Sequence, residues 1–388
     1  MHSHSKSGQN PHPGENSAGP SSAIEPNLRL VAWEITRTCN LACVHCRAAA
    51  LDKPYENELT TAECLRVMDE IGEVAKPIVI LTGGEPLLRP DVFELAAYGN
   101  AKGFRMTLAT NGTLMTAQNV KMMLDSGIQR ISVSLDGAAA ASHDAFRKVA
   151  GAFDGAIRGI ALAREAGREF QVNTTITHQN MEEFPAIHEL VVSLGAAAHH
   201  IFMLVPMGRG RDLVEEAISA EKYEKTLHWF YERKERAPLQ LKATCAPHYY
   251  RIMRQRAHSE GKEVSFQTFG LDAVTRGCLG GTSFVFVSHL GELQPCGYLE
   301  KPCGNLRDKT FKEIWEASPI FKDLRNLKKY EGKCGRCEYI RVCGGCRARA
   351  FESTGNFLAP EPLCLYEPRK QQTEDGERKS GIGGRKAE

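Results

Sequence analysis

Three cysteines fall within eight residues in the stretch Cys39-Asn-Leu-Ala-Cys43-Val-His-Cys46. The Cys-x3-Cys-x2-Cys spacing puts three thiolates on one loop, enough for three of the four irons of a cubane 4Fe–4S cluster. The fourth iron then has no protein ligand, and an open position is what a catalytic metal site keeps for its substrate. The competing reading is structural zinc or three reduced core thiols. Zinc takes four ligands in two pairs, and no partner pair lies near this loop in the chain.

A second, denser set stands toward the other end: Cys334-x2-Cys337-x5-Cys343-x2-Cys346, preceded by Cys278 and Cys296 and followed by Cys364. Thirteen cysteines in a chain without an apolar leader do not read as a disulfide framework, so the arithmetic points to a cytoplasmic metalloprotein. Zinc remains the alternative for the paired cysteines, although a five-residue gap is short for a zinc ribbon. Cys245 could be a buried thiol, a distal ligand or a donor facing substrate, and spacing does not choose.

The elements that must position these residues alternate from Arg29 to about Lys234. Strand-like runs at 28–35, 77–81, 105–110, 130–135, 170–177 and 200–205 are separated by helix-like runs at 60–74, 92–101, 117–126, 154–166 and 182–194. This is the pattern of parallel β/α units, and six units are too few to close an eight-fold barrel. The expectation is therefore an α/β protein built on an open, partial (β/α)6 barrel over 28–236. A bridging segment at 237–277, which reads over 239–256 as a strand, a break at Pro247 and a helix, and a cysteine-rich domain at 278–366 follow, with disordered tails at 1–27 and 367–388. Chemistry in such barrels sits at the C-terminal ends of the strands. The informative residues fall there: Gly83-Gly84-Glu85-Pro86 after the second strand, Asn111 after the third, Ser134 and Asp136 after the fourth. Asn173, Thr175 and Thr177 make one face of the fifth polar, and one of His199 and His200 should face inward. Arg209 and Arg211, between glycines, could clamp substrate carboxylates or belong to a solvated loop. A hairpin is expected at 284–295, and an amphipathic packing helix at 219–236.

The 49 basic and 47 acidic side chains nearly cancel, which gives no electrostatic footprint for nucleic acid. No apolar run approaches the roughly 18 residues of a membrane span. His2, His4 and His12 read as part of a solvated tail.

The cysteine loop, with Gly-Gly-Glu-Pro one β/α unit later, resembles the radical S-adenosylmethionine (SAM) enzymes. The resemblance implies that the open iron chelates SAM and that Gly83–Pro86 hold its methionine end. Ser134 would meet the ribose, with Asp136 and Asn111 close by. It also implies anaerobic working conditions and a reductant such as flavodoxin or ferredoxin. The second set resembles the SPASM extension of these enzymes, with two residues rather than three between Cys343 and Cys346. Carried across, Cys334, Cys337, Cys343 and Cys364 hold one auxiliary 4Fe–4S cluster. Cys278, Cys296 and Cys346 supply three ligands of another, with Cys303 a possible fourth. Gly297 stands where peptide-oxidising maturases of this branch carry an acidic base, which leaves Tyr298 as a proton or hydrogen donor.

The phrases Arg37-Thr-Cys-Asn-Leu-Ala-Cys-Val-His-Cys-Arg47, His199-His-Ile-Phe-Met-Leu-Val-Pro-Met-Gly-Arg-Gly210 and Ala243-Thr-Cys-Ala-Pro-His-Tyr-Tyr250 resemble the haem b synthases of the siroheme-dependent pathway. So do Arg276-Gly-Cys-Leu-Gly-Gly281 and Cys343-Gly-Gly-Cys-Arg-Ala-Arg349. That resemblance implies a tetrapyrrole substrate, iron-coproporphyrin III, with two propionates converted to vinyl groups. The alternatives are a sister tetrapyrrole enzyme, which removes acetate groups from didecarboxysiroheme or acts in haem d1 synthesis, and a peptide-modifying SPASM enzyme. From another class, the chain could be an iron–sulfur electron carrier or scaffold, against which the Gly83–Pro86 cradle speaks.

Overall fold

Alternation along the strands decides which face meets the helices. In β1 (Leu30–Thr36) Val31, Trp33 and Ile35 enter the main core, while Ala32 and Glu34 point to the opposite face. Strands β2 (Ile78–Gly83), β3 (Arg105–Thr110), β4 (Arg130–Ser134), β5 (Phe170–Ile176) and β6 (Ala198–Met203) follow in parallel, in the order the alternation predicts. The computed structural model describes residues 23–213, 218–234 and 237–369. The tails expected at 1–27 and 367–388 fall largely outside these residues, as do His2, His4 and His12.

Helices α1 (Thr61–Val74), α2 (Val92–Ala101), α3 (Ala117–Asp125), α4 (Ala140–Arg147), α5 (Ala152–Glu165) and α6 (Phe184–Ser193) connect the strands. The start of α1 is fixed locally by a capping box: Thr60 accepts from the Glu63 N–H, and the Glu63 side chain accepts from the Thr60 N–H. Helix α4 is an addition to the sequence expectation. It has only eight residues, too few for a clear helical period, and it carries Arg147.

The sheet is also wider than six strands. A seventh parallel strand, β7 (Gln240–Thr244), pairs with β6, between α7 (Ala220–Lys234) and α8 (His248–Ser259). On the other side β8 (Phe284–Val287) pairs in parallel with β1. The cysteine-rich segment thus donates a strand to the barrel sheet. Its sequence, Phe-Val-Phe-Val, is apolar on both faces, and Val285 and Val287 join the main core against an edge of β1 that would otherwise stay unpaired. Antiparallel β9 (Glu292–Gln294) and β10 (Gly304–Asn305) complete the order β10-β9-β8-β1-β2-β3-β4-β5-β6-β7. Among the described residues no helix is long and apolar enough to cross a membrane.

Candidate active site

The cysteine loop follows β1 directly and is held from several sides. The N–H groups of Ala42 and Val44 donate to the carbonyls of Arg147 and Phe146 at the end of α4. Cys39 and Cys43 are buried, and Cys46 packs beside them. Burial pushes the Cys39 thiol up to about 12, against a hydrogen bond from the Leu41 N–H. Arg147 donates to the Cys43 sulfur at 3.5 Å and is ion-paired with Asp136. Burial alone would raise the Asp136 carboxyl, but Arg147, His45 and His143 together bring it below its ordinary range. Asp136 also accepts from the Thr175 N–H at 2.7 Å. It is thus the counter-ion of Arg147 and a link from β4 to β5.

Arg209 turns out to be another staple of this loop. Its Nε donates to the Cys43 carbonyl and its Nη1 to the Ala50 carbonyl, both at 2.8 Å. Gly208, in a left-handed conformation at φ 54°, lies so close to the loop that a Cβ there would meet the Cys46 and Arg47 carbonyl oxygens. Arg211 is separate: it is largely exposed and pairs with Glu352 at 3.4 Å.

The two glycines of Gly83-Gly84-Glu85-Pro86 permit a close approach, and the backbone they approach is that of the chain itself. A Cβ at Gly84 would stand 2.3 Å from the Thr38 carbonyl oxygen, and the Gly84 and Glu85 N–H groups donate to Thr36 and Thr38 at 2.8 Å. This fixes the loop after β2 against the base of the cysteine loop. The Glu85 carboxylate is fully buried and accepts from Thr110 Oγ1, the Asn111 N–H and the Leu87 N–H. Burial outweighs these donors and raises it to about 7. Asn111 in turn joins Asn40 on the cysteine loop to Thr113. Ser134 is half-buried and makes no side-chain hydrogen bond among the described residues, so its hydroxyl is free for a ligand.

Cys334, Cys337, Cys343 and Cys364 line one cavity, with His248 and Arg251. His248 opens α8, is fully buried, and among the described residues neither ring nitrogen has a hydrogen-bond partner. Its Nε2 lies 3.8 Å from Glu361, whose carboxylate accepts from the Cys346 N–H at 2.7 Å. The other cysteines gather separately. Cys278 and Cys346 lie close enough to Cys296 for their charges to raise its thiol, which burial raises most, and the fourth member of that group is Cys245, packed with Cys296 against Cys346. Cys245 follows β7 in a left-handed conformation at φ 54°, uncommon for any residue but glycine. Its carbonyl accepts from Arg349 Nη2 at 2.9 Å and from the Tyr223 hydroxyl at 3.3 Å, which holds that conformation. Cys303 lies elsewhere, beside Ser318 and Arg325 against the main core.

The donor sets fit iron–sulfur clusters. The thiols form no disulfides, and backbone N–H groups donate to the sulfurs of Cys39, Cys296, Cys334, Cys343 and Cys346 at 3.3–3.5 Å, which favours thiolates. Arg347 adds a charged donor at Cys334. Tyr298 stands between the sets, half-buried, and feels the charges of Cys245, Arg47, Cys296 and Cys46; burial raises its phenol, so it stays protonated. Arg47 ties front to back: it bonds Glu34, stacks on Phe286 of β8 at 4.3 Å and reaches the Gly297 carbonyl.

Comparison with known proteins agrees with this geometry. Residues 33–191 match the radical SAM superfamily, and residues 278–346 match SPASM, an iron–sulfur cluster-binding domain. The chain is 53% identical over 350 residues to the "AdoMet-dependent heme synthase" of Oleidesulfovibrio alaskensis, covering 90% of each. It is 33% identical to the "Fe-coproporphyrin III synthase" of Methanosarcina barkeri, covering 86% of this chain and 87% of that one. The SAM-bound structure of Streptococcus suis SuiB superposes with a TM-score of 0.68 at 16% identity, covering 88% of this chain and 78% of SuiB. The fold and site are those of a radical SAM enzyme carrying 4Fe–4S clusters and using SAM. Within that class, the chain belongs to the family of the AdoMet-dependent heme synthases.

Proposed function

We propose that the enzyme converts two propionates of iron-coproporphyrin III to vinyl groups, with loss of carbon dioxide, to give haem b. The observation that carries this reading is the 53% identity, across both domains, to a protein named for haem synthesis, against 33% to the one named for making Fe-coproporphyrin III. Acetate removal is therefore the second reading.

The chain's own residues have definable tasks. Cys39, Cys43 and Cys46 hold the front cluster, with Arg147 and Arg209 fixing their loop. In this reading the loop Gly83–Pro86 and the Ser134 hydroxyl receive SAM. When bound, these groups supply hydrogen-atom abstraction from the carbon next to the ring and an acceptor for the electron left when carbon dioxide departs. Tyr298, kept neutral by burial, is the proton-bearing side chain between the front loop and the Cys245 set.

Anaerobic protein given SAM, a reductant and each candidate tetrapyrrole, followed by mass spectrometry, tests the reading. Two successive losses of carbon dioxide from iron-coproporphyrin III are expected. Turnover of didecarboxysiroheme in its place would assign the chain to the sister activity.

A further inference from the structure

Strand pairing places Ser134, Asn173, His200 and Lys242 directly beside one another on β4, β5, β6 and β7. Side chains paired across neighbouring strands share a face. It is the face turned away from the helices, because the alternate residues Val133, Val172, Ile201, Leu241 and Ala243 fill the packed cores. His199 likewise faces outward, bonded to Thr174 and His188. The row therefore crosses the inside of the barrel from the Ser134 hydroxyl to the Lys242 ammonium.

Lys242 stands out in this row. It lies deep in the protein yet keeps some accessible surface. Among the described residues it makes no hydrogen bond and no ion pair. The nearest acid, Asp272, is taken by Lys234, and the neighbouring charges of Arg29 and Lys234 are positive. Next in the row, His200 is bonded to Gln171 at 3.1 Å and held neutral by burial. Beyond it Arg130, on the same face of β4, pairs among the described residues only with Glu169 and leaves its buried Nε without a partner there. Two cations thus share this face, and among the described residues the single acid paired to either is Glu169.

A desolvated ammonium without a counter-ion is unfavourable in the free protein. A ligand that brings a carboxylate to this face removes that penalty on binding, since the ammonium can donate up to three hydrogen bonds to it. We propose that Lys242 is the cation that receives a carboxylate of the substrate inside the barrel, the role the loop arginines 209 and 211 do not fill. This rests on the tetrapyrrole reading above, and it names the end of the substrate that enters the barrel as a propionate rather than an apolar ring edge.

The test is equilibrium binding of metal-free coproporphyrin III, followed by fluorescence, to the full chain and to Lys242→Met. Met removes the charge without opening a void, so a melting temperature at or above that of wild type is expected and checks folding. Affinity for the tetra-acid should fall tenfold or more, Lys242→Arg should keep most of it, and the tetramethyl ester should not distinguish Lys242→Met from wild type. Equal affinity of wild type and Lys242→Met for the acid overturns the assignment and leaves the tetrapyrrole reading standing. A wild-type chain that binds no such porphyrin overturns both.

Discussion

Arg147 Nη1 lies 3.5 Å from the Cys43 sulfur, and the same guanidinium is paired with Asp136, so one buried arginine serves a cluster ligand and the β4–β5 junction at once. Truncation leaves Asp136 charged, desolvated and without its partner. Arg147→Ala should cost the apoprotein about 3–5 kcal/mol in denaturant unfolding. Adding Asp136→Asn to Arg147→Ala should recover much of that loss. A double variant no better than the single one would show that the pair is not what the arginine stabilises.

The separation of Cys245 from Cys303 can be read by counting iron. With both auxiliary sets filled, the chain should hold on the order of twelve irons, since each 4Fe–4S cluster brings four. Cys245→Ala should lower the count toward eight or yield a labile cluster, whereas Cys303→Ala should leave it unchanged. Cys334→Ala or Cys364→Ala should abolish product while reductive SAM cleavage stays measurable. Cys39→Ala, Cys43→Ala or Cys46→Ala should end 5′-deoxyadenosine formation. Stoichiometric zinc with only about four irons would contradict the auxiliary assignment.

Glu85 makes the apoprotein's stability depend on pH in an unusual direction. Burial raises its carboxyl from an ordinary 4.5 to about 7, so between those values the folded state binds more proton than the unfolded chain. The contribution is fully present below about 4.5 and is lost as pH rises through 7. At roughly 1.4 kcal/mol per unit, the change is on the order of 3 kcal/mol. Glu85→Gln, which mimics the protonated acid, should flatten the profile between pH 5 and 8; an unaltered slope would mean that other groups set it.

Arg209 carries a different expectation from the one its glycine-flanked position invites. Its two bonds to carbonyls at 2.8 Å hold the cysteine loop. Arg209→Ala should therefore weaken cluster retention and SAM cleavage, with porphyrin affinity preserved. Arg209→Lys cannot reproduce the planar fork and should behave similarly. Arg211, exposed and paired with Glu352, should matter by no more than about 1 kcal/mol. Reduced porphyrin binding with an intact front cluster would return Arg209 to the substrate.

What could be read from the sequence follows from how far each signal reaches along the chain. The cysteine spacings and the strand–helix alternation are local, and the six expected strands and the 284–295 hairpin appear within a few residues of their expected bounds. The pairing of β8 with β1 joins residues some 250 positions apart and leaves no periodic trace. Arg147 was missed for a related reason: α4 is short, and its partners Cys43 and Asp136 come together only in the fold. Cys245 was legible as a cysteine but not as a neighbour of Cys278, Cys296 and Cys346, since no fixed interval links them. The glycines of the Gly83–Pro86 loop were legible as a close approach, while the partner, the Thr36–Thr38 backbone, is set only when the ends of β1 and β2 come together in space.

The reaction itself has an isotopic signature. If hydrogen is taken from the propionate carbon attached to the ring, deuterium placed there must appear in 5′-deoxyadenosine. One SAM should be consumed for each vinyl group formed, and a monovinyl species should accumulate before the final product. Acetate removal would form no vinyl groups, and any transferred label would come from the acetate methylene. Polar decarboxylation by a general acid would need no SAM and would leave the label in the porphyrin or release it to solvent. Tyr298 bears on the choice, because a protonated phenol between the two cysteine sets could serve the polar route as readily as the radical one. Tyr298→Phe should therefore leave label transfer into 5′-deoxyadenosine intact if its part is confined to moving a proton. Label retained wholly in the vinyl product, with none in 5′-deoxyadenosine, would refute hydrogen abstraction at that carbon even with decarboxylation confirmed.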